Sequence, residues 1–109
     1  MALPLHLPPV SAGAKRIVSL DLTDDLDSSE TLTGTPTVTE VTTTDLTLAN
    51  KQVNSGSITV LGRTVTAGKA IQFTTMGQVA GTVYSLSVSC ATTTTPAETL
   101  TYTVIMPCV

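Results

Sequence analysis

The sequence predicts an all-β chain, an antiparallel β-sandwich of about seven strands, and three observations carry that reading. Short segments alternate apolar and polar residues, as half-buried strands do. Turn residues separate them at spacings of about 8–12. Threonine fills 23 of the 109 positions and suits a pleated, half-buried surface. No stretch keeps a helical period beyond about one turn, and the length is that of one domain.

Residues 1–14 (MALPLHLPPVSAGA) differ from the rest. Pro4, Pro8 and Pro9 keep them extended and remove backbone donors, which excludes a helix or a central strand. Leu3, Leu5 and Leu7 alternate along the segment. It reads as a terminus folded over its own domain or as an arm docking on a neighbouring subunit, with the three leucines filling pockets as in strand addition. The expected division is an extended Pro/Leu-rich arm over 1–14 and a sandwich domain over 15–109. Without a cationic start, and broken by prolines, the first ten residues do not read as a signal peptide.

The strand candidates follow in order. KRIVSLDL (15–22) sets Val18, Leu20 and Leu22 on one face, and an acidic turn follows over 24–29. PTVTEVTT (36–43) is mostly β-branched, but Val38 and Val41 sit three apart, which suggests a bulge or an edge position. Residues 45–49 send Leu46 and Leu48 inward before the turn Asn54-Ser55-Gly56. Residues 57–61 bury Ile58 and Val60, Gly62 punctuates, residues 64–66 continue, and 68–75 bury Ile71 and Phe73.

The strongest pattern lies near the end. TVYSLSVSC (82–90) puts Tyr84, Leu86, Val88 and Cys90 on one face and Ser85, Ser87 and Ser89 on the other. LTYTVIM (100–106) aligns Leu100, Tyr102, Val104 and Met106. In a hairpin like faces must meet, because a one-residue slip turns every side chain over. The compact register sets Cys90 opposite Leu100, Val88 opposite Tyr102, Leu86 opposite Val104 and Tyr84 opposite Met106. Cys108 then lies roughly 26 Å along the strand from the position opposite Cys90, far beyond the ~7 Å Cα separation that a disulfide tolerates. Cys90 reads as a small core residue and Cys108 as free or intermolecular.

Composition narrows the function. The charge is −3 with five Lys and Arg, so no basic surface neutralises a run of phosphates, and nucleic acid is not an expected partner. Apolar runs fall short of a membrane span. One His and two Cys cannot close a structural zinc site without carboxylates. The sole histidine, His6, sits in the Pro-rich segment with no fixed partner for a Ser-His-Asp set, and with three aromatics little remains for a sugar platform. The expectation is a protein without enzymatic activity and without a cofactor. Asp21, Asp24, Asp25, Asp27 and Glu30 gather hard-cation ligands, and Asp25, Asp27 and Glu30 echo a calcium layout. The loop lacks the glycine an EF-hand needs, so no metal is expected and it reads as a solvated, capped turn, with Asp25, Asp27 and Glu30 as the weaker metal candidate.

Gly81-Thr82-Val83-Tyr84 looks like a tyrosine corner, in which the hydroxyl bonds back to the preceding crossover, and it favours an immunoglobulin-like sandwich. IVSLDLTDDLDSSETLTG, SGSITVLGRTV and AGTVYSLSVSCATT, followed by a hydrophobic strand, resemble small immunoglobulin-like virion proteins of tailed bacteriophages. The matching motifs are Asp21-Leu22-Thr23-Asp24-Asp25-Leu26 and Gly81-Thr82-Val83-Tyr84-Ser85-Leu86, within a resemblance spanning residues 15–106. It implies a structural virion component made in the host cytoplasm, present in several copies and contacting tail, fibre or capsid subunits. An adaptor joining tail or neck to fibre is the first expectation, with capsid decoration as the alternative. A third possibility, from the residues themselves, is a carbohydrate- or surface-binding module. On the outward face of the final hairpin Ser87 meets Thr103 and Ser89 meets Thr101. This hydroxyl ladder is a candidate contact surface, and at 12% charged residues little keeps neighbours away.

Overall fold

The computed structural model describes residues 5–7, 9–41, 43–93 and 98–109, with backbone alone for Leu5 and His6. Among them the strands are β1 (Leu5–His6), β2 (Arg16–Asp21), β3 (Leu32–Val41), β4 (Thr47–Val53), β5 (Ile58–Val60), β6 (Arg63–Val65), β7 (Ala70–Met76), β8 (Val83–Thr92) and β9 (Thr99–Pro107). A single 3₁₀ turn, Thr23–Asp25, interrupts them. The larger sheet has the order β1-β9-β8-β3, the second β2-β7-β4, and β5-β6 form a separate hairpin. All pairings are antiparallel except β1 with β9.

The final hairpin adopts the register that its alternation demands. Cys90 faces Leu100, Val88 faces Tyr102, Leu86 faces Val104 and Tyr84 faces Met106. These residues and Val38 of β3 form the inner surface of the larger sheet. They pack on Val18 and Leu20 of β2 and on Ile71 and Phe73 of β7 in one common core. Leu46, Leu48 and Val53 close its flank. Both cysteines are buried and unbridged, so Cys108 is a core residue that presents no thiol to a neighbour.

Val38 and Val41 diverge because alternation runs unbroken through them. Val38 is buried and Val41 is exposed on the opposite face. β3 is an edge strand, as the sequence suggested, but its bulge lies upstream, between Thr33 and Thr37. The tyrosine corner is realised in its bonds: the Tyr84 hydroxyl accepts from the Val79 N–H (2.8 Å) and donates to Asp45 Oδ2 (3.0 Å). Nearby, Gly77 holds φ +86° and a Cβ there would meet Asp45 O at 2.6 Å, so only glycine fits.

In the segment read as an arm, the described residues are bonded to their own chain. β1 lies beside Val104 and Ile105, and the Leu7 N–H donates to Ile105 O (2.8 Å). Val10 is buried in the core and bridges to Cys108. The prolines permit this because an edge strand needs few donors. Gln78, itself buried, then donates through Nε2 to Ser11 O (2.8 Å) and to Ala14 O, clamping the crossover into β2.

Asn54 ties the far end together. Its Oδ1 accepts from the N–H groups of Gly68, Lys69 and Ala70 (2.9, 3.1 and 3.0 Å), and its Nδ2 donates to Gly56 O and Thr66 O, both at 3.0 Å. Losing this side chain would strand the Ala70 N–H and the Gly56 carbonyl, each costing about 1–3 kcal/mol where water cannot replace it, while the N–H groups of Gly68 and Lys69 keep the backbone carbonyls of Asn54 and Thr66. Asn54→Ala should therefore lower the unfolding free energy by about 2 kcal/mol or more, read from urea denaturation. A loss below about 1 kcal/mol would mean that the corner holds without it.

Candidate functional site: a charge-free hydroxyl face and an acidic end

Continuing the β8–β9 register into β3 widens the predicted ladder to three strands. Thr37, Ser89 and Thr101 form one row, and Thr39, Ser87 and Thr103 the next. The β3 and β9 threonines are exposed, and the serines between them are half-buried by their flanking strands. One row further, Val41, Ser85 and Ile105 align, and Val83 pairs with Pro107 beyond them. Toward the other end come Thr33, Ala91 and Thr99. No charged side chain occupies these outward rows. The face is therefore hydroxyl-bearing over most of its length and apolar at one end. Ser87, Ser89, Thr101 and Thr103 stand together as their alternation predicts. Thr37, Thr39 and Val41 of β3 complete the surface, and only the long-range β3–β8 pairing could have placed them there.

Leu3 lies outside the described residues, as does the side chain of Leu5, and Leu7 packs half-buried on the core. Beside it a hollow of about 230 Å³ is lined by apolar residues such as Leu7, Val10 and Leu61 and by Arg16, Ser19 and Thr59, below the ~300 Å³ at which small-molecule sites begin.

The acidic loop is organised around a cation that the chain itself supplies. Lys69, buried at the start of β7, sends its ammonium to the carbonyls of Asp27 (2.7 Å), Ser28 (3.4 Å) and Glu30. The carboxylates point elsewhere. Glu30 Oε1 accepts from the Asp27 N–H (3.1 Å), and Asp25 Oδ2 accepts from the Tyr102 hydroxyl (2.6 Å). Asp21 and Asp24 flank Arg63, which reaches Asp24 with two nitrogens at 3.2 Å each and Asp21 at 3.5 Å. Among the described residues no three His, Cys, Asp or Glu side chains converge as a metal site would require. Asp25, Asp27 and Glu30 thus share a loop without sharing a focus, and the carbonyls that a hard cation would use are taken by Lys69.

Two titrating groups report on burial. Desolvation pushes the Tyr102 phenol well above its ordinary value, and the Asp25 carboxylate beside it adds to the shift. Burial likewise raises the Cys90 thiol, against weaker lowering by backbone groups of Thr33 and Ala91. Cys90 is thereby kept protonated and a poor nucleophile. At the other end of the molecule Glu40 accepts from the Thr43 hydroxyl and from the N–H groups of Asp45 and Leu46 (both 2.9 Å). Burial acts to raise its carboxyl, but these bonds outweigh it and hold it below its usual range.

Two outcomes follow. Lys69→Met leaves three carbonyls without their donor and should cost about 2–3 kcal/mol, while millimolar calcium should leave the wild-type melting temperature unchanged. A calcium-induced rise of several degrees would restore the metal reading. For Tyr102, the folded state holds the phenol protonated and the unfolded state releases it near pH 10. Its contribution is complete below about pH 10 and is lost as pH rises beyond that. Stability should therefore fall above about pH 10, and Tyr102→Phe should flatten that fall in denaturation curves run at stepped pH.

No family model, curated protein or solved structure matches the chain.

Proposed function

We propose that this chain is a non-enzymatic structural module, an immunoglobulin-like sandwich that works by being covered by neighbouring subunits. The observation that carries the reading is the charge-free face of β3, β8 and β9. Soluble surfaces carry roughly 25–35% charged residues, whereas interface centres are depleted of charge. The outward rows of this face carry none. Supporting the sandwich assignment are the strand orders β1-β9-β8-β3 and β2-β7-β4 and the bonded corner at Tyr84, features shared with immunoglobulin-like domains. On the sequence resemblance alone, the assembly is a tailed-phage virion and the role an adaptor between tail or neck and fibre, with capsid decoration as the alternative. Such a role depends on modest contacts made strong by repetition.

Thr101→Lys with Thr103→Lys places two ammonium groups on exposed positions of the face, so the fold should survive with its melting temperature within a few degrees. Gradient-purified particles of the encoding phage should contain the wild-type chain and lack the double variant. Equal incorporation of both would overturn the role of the face, and absence of the wild type from particles would overturn the virion reading. The carbohydrate-binding alternative predicts instead that the isolated domain labels a glycan array and that the same double variant does not.

A further inference from the structure

Among the described strands, β2 is the sheet edge that its own sequence leaves unguarded. It keeps one unbroken register with β7 over six residues and pairs with no other strand. Neither a bulge nor a proline within it discourages a further strand. Beside it lies the β5–β6 hairpin, which forms no ladder with either sheet. Two-stranded hairpins are marginal by themselves, so its position depends on a few side chains.

The base of the hairpin is fixed. Asn54 donates to Gly56 O and Thr66 O, just outside the two strands, at 3.0 Å each. Val65, paired with Ile58, is completely buried, although it stands apart from the main core. The outer half has little apolar anchorage. Thr59, Leu61, Gly62, Arg63 and Thr64 are exposed, and Val60 is half-buried. Leu61 takes φ +50° in the turn, a conformation unfavourable for a bulky side chain. At 88% exposure it recovers little of that cost by packing. Arg63 is what ties this half to the body. Its guanidinium holds Asp24 through two nitrogens at 3.2 Å each and Asp21 at 3.5 Å, where β2 ends and the acidic turn begins.

We propose that the β5–β6 hairpin is a strap beside the open edge of β2, hinged at Asn54, latched by Arg63, and released as a unit when that latch is screened. Charge makes the latch adjustable. A single exposed ion pair contributes little, but a two-nitrogen grip shared between two carboxylates is an arrangement in which exposed pairs count. Arg63 and Asp24 are both open to solvent, so dissolved salt competes with the contact. Release uncovers the hollow that Thr59, Val60 and Leu61 share with Leu7, Val10 and Ile17. The hydroxyl face belongs to the other sheet, so the strap stands or falls independently of it.

Hydrogen exchange of the full chain under native conditions, read amide by amide by NMR, tests the strap. Amides bonded within the hairpin should be less protected than those of β8 and β9. Raising sodium chloride from about 20 mM to about 0.5 M should lower the hairpin's protection about threefold and leave β8–β9 unchanged. Arg63→Met keeps the apolar stem and should lower the same protection about three- to fivefold while removing its salt response. Asp24→Asn should reproduce most of that loss, and combining the two should add little. Hairpin protection equal to that of β8–β9 would mean that it opens only with the whole molecule, and the strap would be wrong. A wild-type hairpin indifferent to salt, or a salt response that survives in Arg63→Met, would rule out the latch.

Discussion

The two-residue period of β8 and β9 is the constraint on which the rest of the structure depends. Nine consecutive pairs, from Val83 with Pro107 to Ala91 with Thr99, lock these strands in one register. Every even-numbered residue from Tyr84 to Cys90 faces the core, and every odd one faces out. Shifting that register by one would send Tyr84, Leu86, Val88, Tyr102, Val104 and Met106 into solvent, a loss of about 1.5–3 kcal/mol for each large side chain. The same lock makes the outer face. Serine and threonine there are small and β-favouring, so the strands lose nothing in propensity by giving up charge. Core and candidate interface are two sides of one pattern.

Strands alone do not fix the loops, and each end of the sandwich is held by a few polar side chains with several bonds apiece. At the acidic end Lys69 and Asn54 gather backbone groups of the adjoining loops. At the opposite end Tyr84, Gln78 and Glu40 do the same. A buried lysine is costly on its own, and here the carbonyls of Asp27, Ser28 and Glu30 offset that cost by replacing its hydration. The acidic loop consequently owes its shape to backbone oxygens, and Asp24, Asp25 and Asp27 stay exposed while Glu30 is buried against the loop's own backbone.

This division explains what could be read from the sequence. Where a structural decision is local and periodic it is legible: the β8–β9 register, the separation of the cysteines, the inward Val18, Leu20, Ile71 and Phe73, and the bond of Tyr84 to its own corner. Where it depends on one side chain meeting a distant loop, composition hides it. Lys69 acts on residues about forty positions earlier, and Asn54 reads as an ordinary turn residue. Val10 sits in a proline-rich stretch that reads as a terminus or an arm, yet it is core, because the alternation that matters belongs to its partner β9. Val41 was misleading for a simpler reason. Its three-residue spacing from Val38 put the two on opposite faces, with no irregularity between them.

The edges of the sheets bear on which surfaces remain for partners. An exposed edge strand invites pairing with another chain, and proteins blunt such edges with bulges, prolines and short strands. β3 carries a bulge between Thr33 and Thr37, with Gly34 and Pro36 inside it. β4 carries another between Ala49 and Gln52, where Asn50 takes φ +53°. β1 is only two residues long, and the β5–β6 hairpin lies near β2 and turns at Leu61 and Gly62 with positive φ at both, as tight hairpins require. Edge-to-edge association is thus hindered along both sheets. What stays open is the flat face and the ends. The edges are thus protected while the outward rows of β3, β8 and β9 carry no charge, so the surface left open to solvent there is one of side chains and not of unpaired backbone.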